Sequence, residues 1–270
     1  MILVNGAVAD SVAATDRGLA YGDGVFRTLP VRRGKAQCWE MHYRKLEHDC
    51  AALGIACPPM LVLASELEQL ARESADFVAK IIITRGSGTR GYALPQPASP
   101  TRIVMSTPLP EYPADFNRAD IKVHLCATRL SFQMRLAGVK HLNRLENVMA
   151  RAEWSDPAVA EGLLLDVQDH VIGGTMSNLF IVENGALVTP ELTRCGVAGV
   201  TRDRIMKAAA KHGMACREES ITQARLLDAP EAMLVNSVIG AWRIGACAGK
   251  SWTEGTFTER VRKWLDEEMG

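Results

Sequence analysis

Lys140 lies in an unusual setting within LAGVKHLNRLENVMARAEW, residues 136–154. A lysine amine that loses its charge attacks a carbonyl carbon and forms a Schiff base. Asn143 and Glu146 have the N-x-x-E spacing of a capping box, and apolar residues follow at helical spacing, so we predict a helix start there. The positive end of that helix, together with Arg144, disfavours an ammonium group at Lys140. A solvated lysine fits the same pattern, so other motifs must decide between the two interpretations.

An anion site is the second candidate, in CGVAGVTRDRIMKAAAKHG at residues 195–213. Gly196 and Gly199 bracket a short loop, and Thr201 stands where a helix is predicted to begin. The unpaired backbone N–H groups of a helix start and a threonine hydroxyl suit a phosphate. The spacing is not that of a P-loop, so ATP is not predicted, and an ordinary turn with a helix cap fits the same residues.

Helices and strands must hold these candidate residues in place. The first half of the chain predicts an α+β layer. A helix over 42–53 stops at Gly54, and a capping box of Ser65 and Glu68 predicts a second helix. The predicted strands are the opening MILVNG with a turn at residues 5–6, a hairpin from VFRTLPV to Gly34, FVAKIIIT at 77–84 and RIVMSTP at 102–108.

The second half predicts further strands and helices behind a proline-rich stretch. We place a linker at 111–120, between domains 1–110 and 121–270, because this stretch lacks apolar periodicity. Predicted strands are IKVHLCA, GLLLDV, NLFIVENGALVTP and AMLVNSVIG, and predicted helices lie near 144–154, 201–212 and 256–268. GSGTRG at 86–91 lacks the spacing of a dinucleotide fingerprint, so a Rossmann domain is not predicted.

Composition narrows the class of partner. The 270 residues include 31 basic and 31 acidic side chains, so the net charge is zero and neither nucleic acid nor a membrane is the expected partner. No leader pattern and no membrane-spanning apolar run is visible, which favours a cytoplasmic protein with a small-molecule ligand. Seven scattered cysteines without a C-x-x-C pair argue against a disulfide framework and against a metal site.

Six strings along nearly the whole chain resemble a known family. They are MILVNG, TDRGLAYGDGVFRT (15–28), TRGSGTRGY (84–92), VKHLNRLENV (139–148), GGTMSNLFIV (173–182) and GVAGVTRD (196–203). They are similar to the fold type IV pyridoxal-phosphate (PLP) enzymes, and KHLNRLE is typical of their aminodeoxychorismate lyase branch. The resemblance implies a homodimer of two-domain chains, each with a small N-terminal α+β domain, a larger barrel-like α/β domain and a cofactor cleft between them.

The resemblance also implies roles for individual residues. Lys140 matches the lysine that binds PLP and later transfers a proton. Asn178 matches a position beside the cofactor ring, Arg144 a position near the ring hydroxyl, and Val200, Thr201 and Ser237 the phosphate site. Candidates for the substrate carboxylates are Arg27, Arg90, Tyr92 and Arg243.

Two positions depart from the family pattern. Relatives have H-x-x-R-L on the first-domain helix, whereas here Lys45 takes the place of the arginine that clamps the phosphate. Three alternatives follow for these two residues. Lys45 binds the phosphate more weakly than an arginine does, Arg44 binds it from the next position, or both side chains are solvated. Gly173 replaces a glutamate that pairs with the pyridine nitrogen. Without this glutamate the cofactor ring withdraws electrons less strongly and stabilises a substrate carbanion less well. This lowers the rate of a transaminase more than that of a lyase, because the formation of an aromatic product drives the lyase reaction.

The expected activity is therefore conversion of 4-amino-4-deoxychorismate to 4-aminobenzoate and pyruvate, a lyase step of folate biosynthesis. A D-amino-acid or branched-chain aminotransferase with the same cofactor and lysine is the nearest alternative. A non-catalytic PLP-binding protein is a further alternative, suggested by Lys45 and Gly173.

Overall fold

The computed structural model describes residues 1–112, 120–253 and 255–267. Its contacts divide the chain into two compact units, Met1–Pro110 with Val139–Asn143, and Glu111–Gly138 with Arg144–Gly270. Residues 113–119 of the predicted linker lie outside the described residues.

The first unit is a six-stranded antiparallel sheet with three helices. Its sheet order is β2-β1-β6-β5-β3-β4, and its apolar core includes Leu29, Leu46 and Ile81. Its elements are β1 (Ile2–Val4), β2 (Ala7–Val8), α1 (Arg17–Tyr21), β3 (Gly24–Arg32), β4 (Lys35–Ala36), α2 (Trp39–Leu53), α3 (Met60–Ala71), β5 (Phe77–Thr84) and β6 (Arg102–Thr107).

Two helices of this unit show where local sequence signals hold and where they fail. Helix α2 ends at Gly54, whose φ of 63° is the left-handed conformation that glycine adopts without strain. Helix α3 starts at Met60, not at the predicted capping box of Ser65. The box fails because Leu63 and Leu67 form one buried face that extends the helix upstream of Ser65.

The segment Val139–Asn143, called here the lysine segment, belongs to the first unit, although we predicted it in the second domain. It lies along β3, where the Phe26 N–H donates to the Lys140 carbonyl at 2.9 Å. The Leu142 N–H donates in turn to the Gly24 carbonyl, also at 2.9 Å. Val139 is buried in the core of this unit. Pairing with β3 therefore decides where Lys140 resides.

The second unit is built on a mixed nine-stranded sheet. Its elements are β7 (Ile121–Leu130), α4 (Leu145–Arg151), β8 (Val159–Asp166), β9 (Val171–Gly174), β10 (Asn178–Glu183), β11 (Ala186–Pro190), α5 (Val200–Lys211), β12 (Cys216–Glu219), α6 (Gln223–Asp228), β13 (Glu231–Asn236), β14 (Gly240–Cys247), β15 (Lys250–Ser251) and α7 (Phe257–Glu267). The path β10-β13-β14-β7-β8-β9 closes on itself through a β9–β10 pairing, which makes a six-stranded barrel. Its core includes Leu163, Leu179 and Trp242.

The predicted capping box before α4 is wrong. The structure places the N-cap at Arg144, one residue later than predicted. The Asn143 amide donates to the Gly22 carbonyl at 3.2 Å, and Glu146 accepts the Ser131 N–H at 2.9 Å. Both side chains thus satisfy distant backbone groups and not the helix start. Within the described ranges, no helix combines the length and apolar character needed to cross a membrane.

Candidate active site

Lys140 is half-buried beside the aromatic ring of Phe26 on β3. Its Nζ lies 4.5 Å from the centre of that ring. The ring face attracts a cation, so the contact keeps the lysine tip at one place on the first unit.

A buried ion pair lies behind the lysine segment. Asp49 on α2 is 0% exposed and Arg27 on β3 is 2% exposed. Asp49 Oδ2 accepts a hydrogen bond from Arg27 Nη2 and another from the backbone N–H of Lys140, the latter at 3.1 Å. Arg27 Nη2 also donates to the Lys45 carbonyl at 3.1 Å. Arg27, predicted to meet substrate, is thus engaged within the first unit.

Two thiols lie close to this ion pair. The pKa of the Cys50 thiol is raised by its hydrogen bond with Cys57 and by burial. The same hydrogen bond lowers the pKa of Cys57. Cys50 therefore stays protonated next to Asp49 and adds no second anion to the pair.

The two basic residues of α2 have different surroundings. Arg44 has a side chain that is 74% exposed and lies 3.8 Å from Glu40, four residues earlier. Lys45 is half-buried. Arg44 is thus a solvated partner of Glu40, and Lys45 is the better placed of the two for a ligand of this unit.

In the second unit, the glycine loop, residues 196–199, leads into α5 and is held by Asn178 and by the Gly138 backbone. The Gly138 N–H donates to the Gly196 carbonyl at 3.1 Å, and the Gly138 carbonyl accepts the Ala198 N–H at 2.9 Å. Asn178, at the start of β10, donates through Nδ2 to the Val197 carbonyl at 2.8 Å and accepts the Gly199 N–H through Oδ1 at 3.2 Å. A Cβ on Gly199 would lie 2.3 Å from Asn178 Oδ1, so a larger residue does not fit there without movement. The loop conformation thus depends on both residues together.

Two hydroxyl groups meet at the start of α5. Thr201 Oγ1 lies 3.2 Å from Ser237 Oγ, just after β13. Val200 is the first residue of α5, and its N-cap, Gly199, has no side chain to cap it. The first backbone N–H groups of a helix have no acceptor within the helix itself. Backbone donors and two hydroxyls therefore lie together at this end of α5.

The position expected to hold a glutamate has no room for one. A Cβ on Gly173 would lie 2.8 Å from the Ser177 carbonyl oxygen. A buried acid from another strand, Glu161 on β8, lies beside the next residue, since a Cβ on Gly174 would be 2.9 Å from Glu161 Oε2. Its carboxylate accepts hydrogen bonds from Gly162 N, Thr175 N, Thr175 Oγ1, Met176 N and Ser177 Oγ.

We did not predict a role for Glu161 from the sequence. The available signal is a single acid in the otherwise apolar run AEGLLL of β8. Four of its five hydrogen bonds come from residues 175–177, which assigns it to shaping the turn that precedes Asn178.

The remaining predicted residues are scattered. Arg90 is exposed, and Tyr92 is 84% exposed with its ring 5.5 Å from that of Tyr21. Arg243 forms an ion pair with Asp120 and donates to the Gly255 carbonyl at 3.0 Å. Arg144 is half-buried at the start of α4. The predicted substrate contacts therefore do not form one cluster within either unit.

A possible metal cluster has a simpler explanation. Donor atoms of His124, Cys126 and Glu153 lie within 4.8 Å of one another. Burial alone would raise the pKa of Glu153, but hydrogen bonds from Thr128, Ala127 and His124 lower it to about 2. The carboxylate is thus already occupied by donors of the chain.

Comparison with known proteins identifies the family. The sequence model of the family described as amino-transferase class IV matches residues 24–247. The chain belongs to the class IV amino-transferase family. It is 33% identical over 240 residues to an aminodeoxychorismate lyase from Vibrio harveyi, with 89% of each chain covered. It is 30% identical to a putative branched-chain-amino-acid aminotransferase of Methanocaldococcus jannaschii, covering 87% of this chain and 84% of that one.

A solved structure extends the match to the whole chain. The 4-amino-4-deoxychorismate lyase of Pseudomonas aeruginosa is 43% identical, covers 100% of this chain and 99% of its own, and superposes with a TM-score of 0.96. The predicted family, the predicted α/β fold class of the fold type IV enzymes with a barrel-like C-terminal domain, and PLP as the family's cofactor are confirmed.

The donor set of this class IV chain fits PLP. The start of α5 offers backbone N–H groups and the Thr201 and Ser237 hydroxyls, which are the donors that phosphate prefers at a helix start. Lys140 offers the primary amine that an aldehyde requires. The first unit therefore contains a primary amine, and the second unit contains a set of phosphate donors.

Proposed function

We propose that this protein is an aminodeoxychorismate lyase, which converts 4-amino-4-deoxychorismate to 4-aminobenzoate and pyruvate on the way to folate. The observation that carries the proposal is the full-length match at 43% identity to the Pseudomonas aeruginosa lyase, which is well above the 30% identity to the putative aminotransferase of Methanocaldococcus jannaschii. The string KHLNRLE around Lys140 supports the same branch.

Lys140 is the catalytic residue in this proposal. PLP, when bound, supplies a ring that withdraws electrons from the substrate's amine-bearing carbon. Lys140 Nζ would hold the cofactor through its primary amine, and the same Nζ, when free, would act as the base beside the substrate. The free Nζ then accepts the proton from the amine-bearing carbon of the substrate ring. The C–O bond to the enolpyruvyl group breaks at the same time, and the departing group becomes pyruvate. The reaction balances because the proton lost by the ring carbon is matched by one gained by the departing enol.

The other residues bind and orient. Val200, Thr201 and Ser237 hold the phosphate, Asn178 keeps the glycine loop in the conformation that presents these donors, and Lys45 adds a positive charge. Because Gly173 offers no carboxylate to the pyridine nitrogen, the cofactor ring is a modest electron sink. A reaction that forms an aromatic product tolerates this better than transamination does.

The test combines a product assay with a map of the cofactor. Purified holoenzyme given 4-amino-4-deoxychorismate should release 4-aminobenzoate and pyruvate in equal amounts. Borohydride reduction followed by digestion should place the pyridoxyl label on Lys140. Transfer of the amine to a keto acid without 4-aminobenzoate would support the aminotransferase alternative. An intact visible band with neither activity would support a non-catalytic PLP-binding protein.

We also propose that the protein acts in the cytoplasm as a homodimer. All seven cysteines are free thiols, which suits a reducing compartment. Leu145, Val148 and Met149 form one face of α4 and are 55–70% exposed, which is unusual for three adjacent apolar side chains. Sedimentation velocity should give a dimer, and a monomer with full activity would contradict this proposal.

A further inference from the structure

The backbone amide of Lys140 is bound by a side chain far away in sequence. Along β3, the Phe26 N–H donates to the Lys140 carbonyl, and the Leu142 N–H donates to the Gly24 carbonyl. The Lys140 N–H itself does not join this ladder. It donates to Asp49 Oδ2 at 3.1 Å, 91 positions away. The hydrogen-bonding pattern of the lysine segment therefore changes at the lysine itself.

We propose that Asp49 is a positioning residue for Lys140, and that Arg27 holds the Asp49 carboxylate in place. The inference rests on the proposed role of Lys140. Two hydrogen bonds now meet at the Lys140 peptide, one at its carbonyl from Phe26 and one at its N–H to Asp49. Together they set the direction of the Cα–Cβ bond, and the Phe26 ring bounds the side chain that extends from it.

The negative charge of Asp49 strengthens its hydrogen bond with the Lys140 N–H, and the same charge requires a cationic partner in the protein interior. An ionised acceptor makes a shorter and stronger hydrogen bond than a neutral one. Asp49 is fully buried, and a buried carboxylate is stable only when it is paired. Arg27 provides that partner from β3, the strand along which the lysine segment lies. The ion pair thus links α2, β3 and the lysine segment.

The consequence is catalytic, not merely structural. A displacement of a reacting group by about 1 Å costs on the order of 100-fold in rate. A rotated Lys140 backbone moves Nζ by a comparable amount, because the side chain multiplies small backbone changes. Loss of the Asp49 acceptor should therefore lower kcat more than it changes KM, because the proton-transfer step depends most directly on where Nζ lies.

The test compares two double variants of matched shape in the holoenzyme. Arg27→Met with Asp49→Asn removes both charges but keeps an oxygen acceptor for the Lys140 N–H. Arg27→Met with Asp49→Leu removes the charges and the acceptor, with a side chain of nearly the same shape as asparagine. Neither variant leaves a buried charge unpaired, so both are expected to fold.

Three measurements separate positioning from stability. Hydrogen exchange resolved at the Lys140 amide should be at least about 10-fold faster in the leucine variant than in the asparagine variant. Its kcat should be about 10- to 100-fold lower, with KM changed less than about threefold. The visible circular dichroism of the bound cofactor should weaken in the same variant, at similar thermal midpoints.

The outcome that overturns the proposal is equal exchange at residue 140 and equal kcat in the two variants. Failure of the proposed function is a separate result. If borohydride labels a lysine other than Lys140 in the wild-type protein, the catalytic assignment fails, while the exchange rate still reports whether Asp49 binds the Lys140 amide.

Discussion

The lysine segment and the glycine loop are held by different forces. The lysine segment depends on buried opposite charges, Asp49 and Arg27, and on the backbone of β3. The glycine loop depends on the neutral amide of Asn178 and on backbone hydrogen bonds with Gly138, and two hydroxyl groups meet at the start of α5.

Because of this contrast, we expect mutations in the two regions to affect stability to different extents. A neutral hydrogen bond contributes about 1 kcal/mol, so the loss of one weakens a site by degrees. A buried charge that loses its partner destabilises the fold by about 3–5 kcal/mol, so the lysine segment tolerates single changes poorly. The following variants test this contrast, in order of expected effect.

Lys140→Ala should have the largest effect on activity. Loss of both the cofactor-binding amine and the proton acceptor should lower kcat by at least about 10³-fold, while the thermal midpoint stays near that of the wild-type apoprotein. Product release measured as 4-aminobenzoate checks this. Lys80→Ala is the matched control, because Lys80 Nζ also lies over the Phe26 ring, at 5.1 Å. Equal losses in both variants would contradict the assignment.

Arg27→Met alone should have the largest effect on stability. It leaves Asp49 buried without its cation, which should lower the free energy of unfolding by about 3–5 kcal/mol in urea. Adding Asp49→Asn to this variant should recover most of the loss. If Arg27→Met alone were as stable as Arg27→Met with Asp49→Asn, the Asp49 carboxylate would not depend on Arg27 for charge compensation.

Asn178→Ala should cost less, because the lost interactions are neutral. Two hydrogen bonds, to the Val197 carbonyl and from the Gly199 N–H, predict a loss of about 2 kcal/mol in unfolding free energy. PLP affinity, measured by fluorescence titration of the apoprotein, should fall with it. An unchanged PLP affinity would show that the glycine loop does not contribute to binding the cofactor's phosphate.

Thr201→Val should weaken PLP binding without affecting folding. It replaces the hydroxyl near Ser237 by a methyl group of the same shape, and a single hydrogen bond to a charged phosphate predicts a Kd about 10-fold higher. Thermal unfolding of the apoprotein serves as the control. A Kd within twofold of the wild type would remove Thr201 from the phosphate site.

Arg44→Ala should have the smallest effect. Its guanidinium is solvated beside Glu40, so PLP affinity should stay within about twofold. Lys45→Ala, the neighbouring variant on α2, should weaken binding about fivefold if its ammonium faces the phosphate. The reverse order would restore Arg44 as the phosphate ligand.

Local patterns predicted many elements, and tertiary contacts corrected the helix starts. The strand predicted at 77–84 is β5 with the same bounds, and the predicted stop at Gly54 ends α2, because a short apolar run and a left-handed cap are local properties. The capping boxes at Ser65 and Asn143 failed. Buried Leu63 extended α3, and distant backbone groups took the Asn143 and Glu146 side chains.

The amino-acid sequence by itself identified the family, the cofactor and the candidate lysine, because KHLNRLE and GVAGVTRD are short contiguous strings whose resemblance to the family is visible without coordinates. Only the tertiary structure paired Arg27 with Asp49 and gave that carboxylate the Lys140 amide. These residues are 22 and 91 positions apart, and no periodic pattern connects them. The pairing arises because the packing of α2 and the lysine segment on β3 buries an acid that must then find donors.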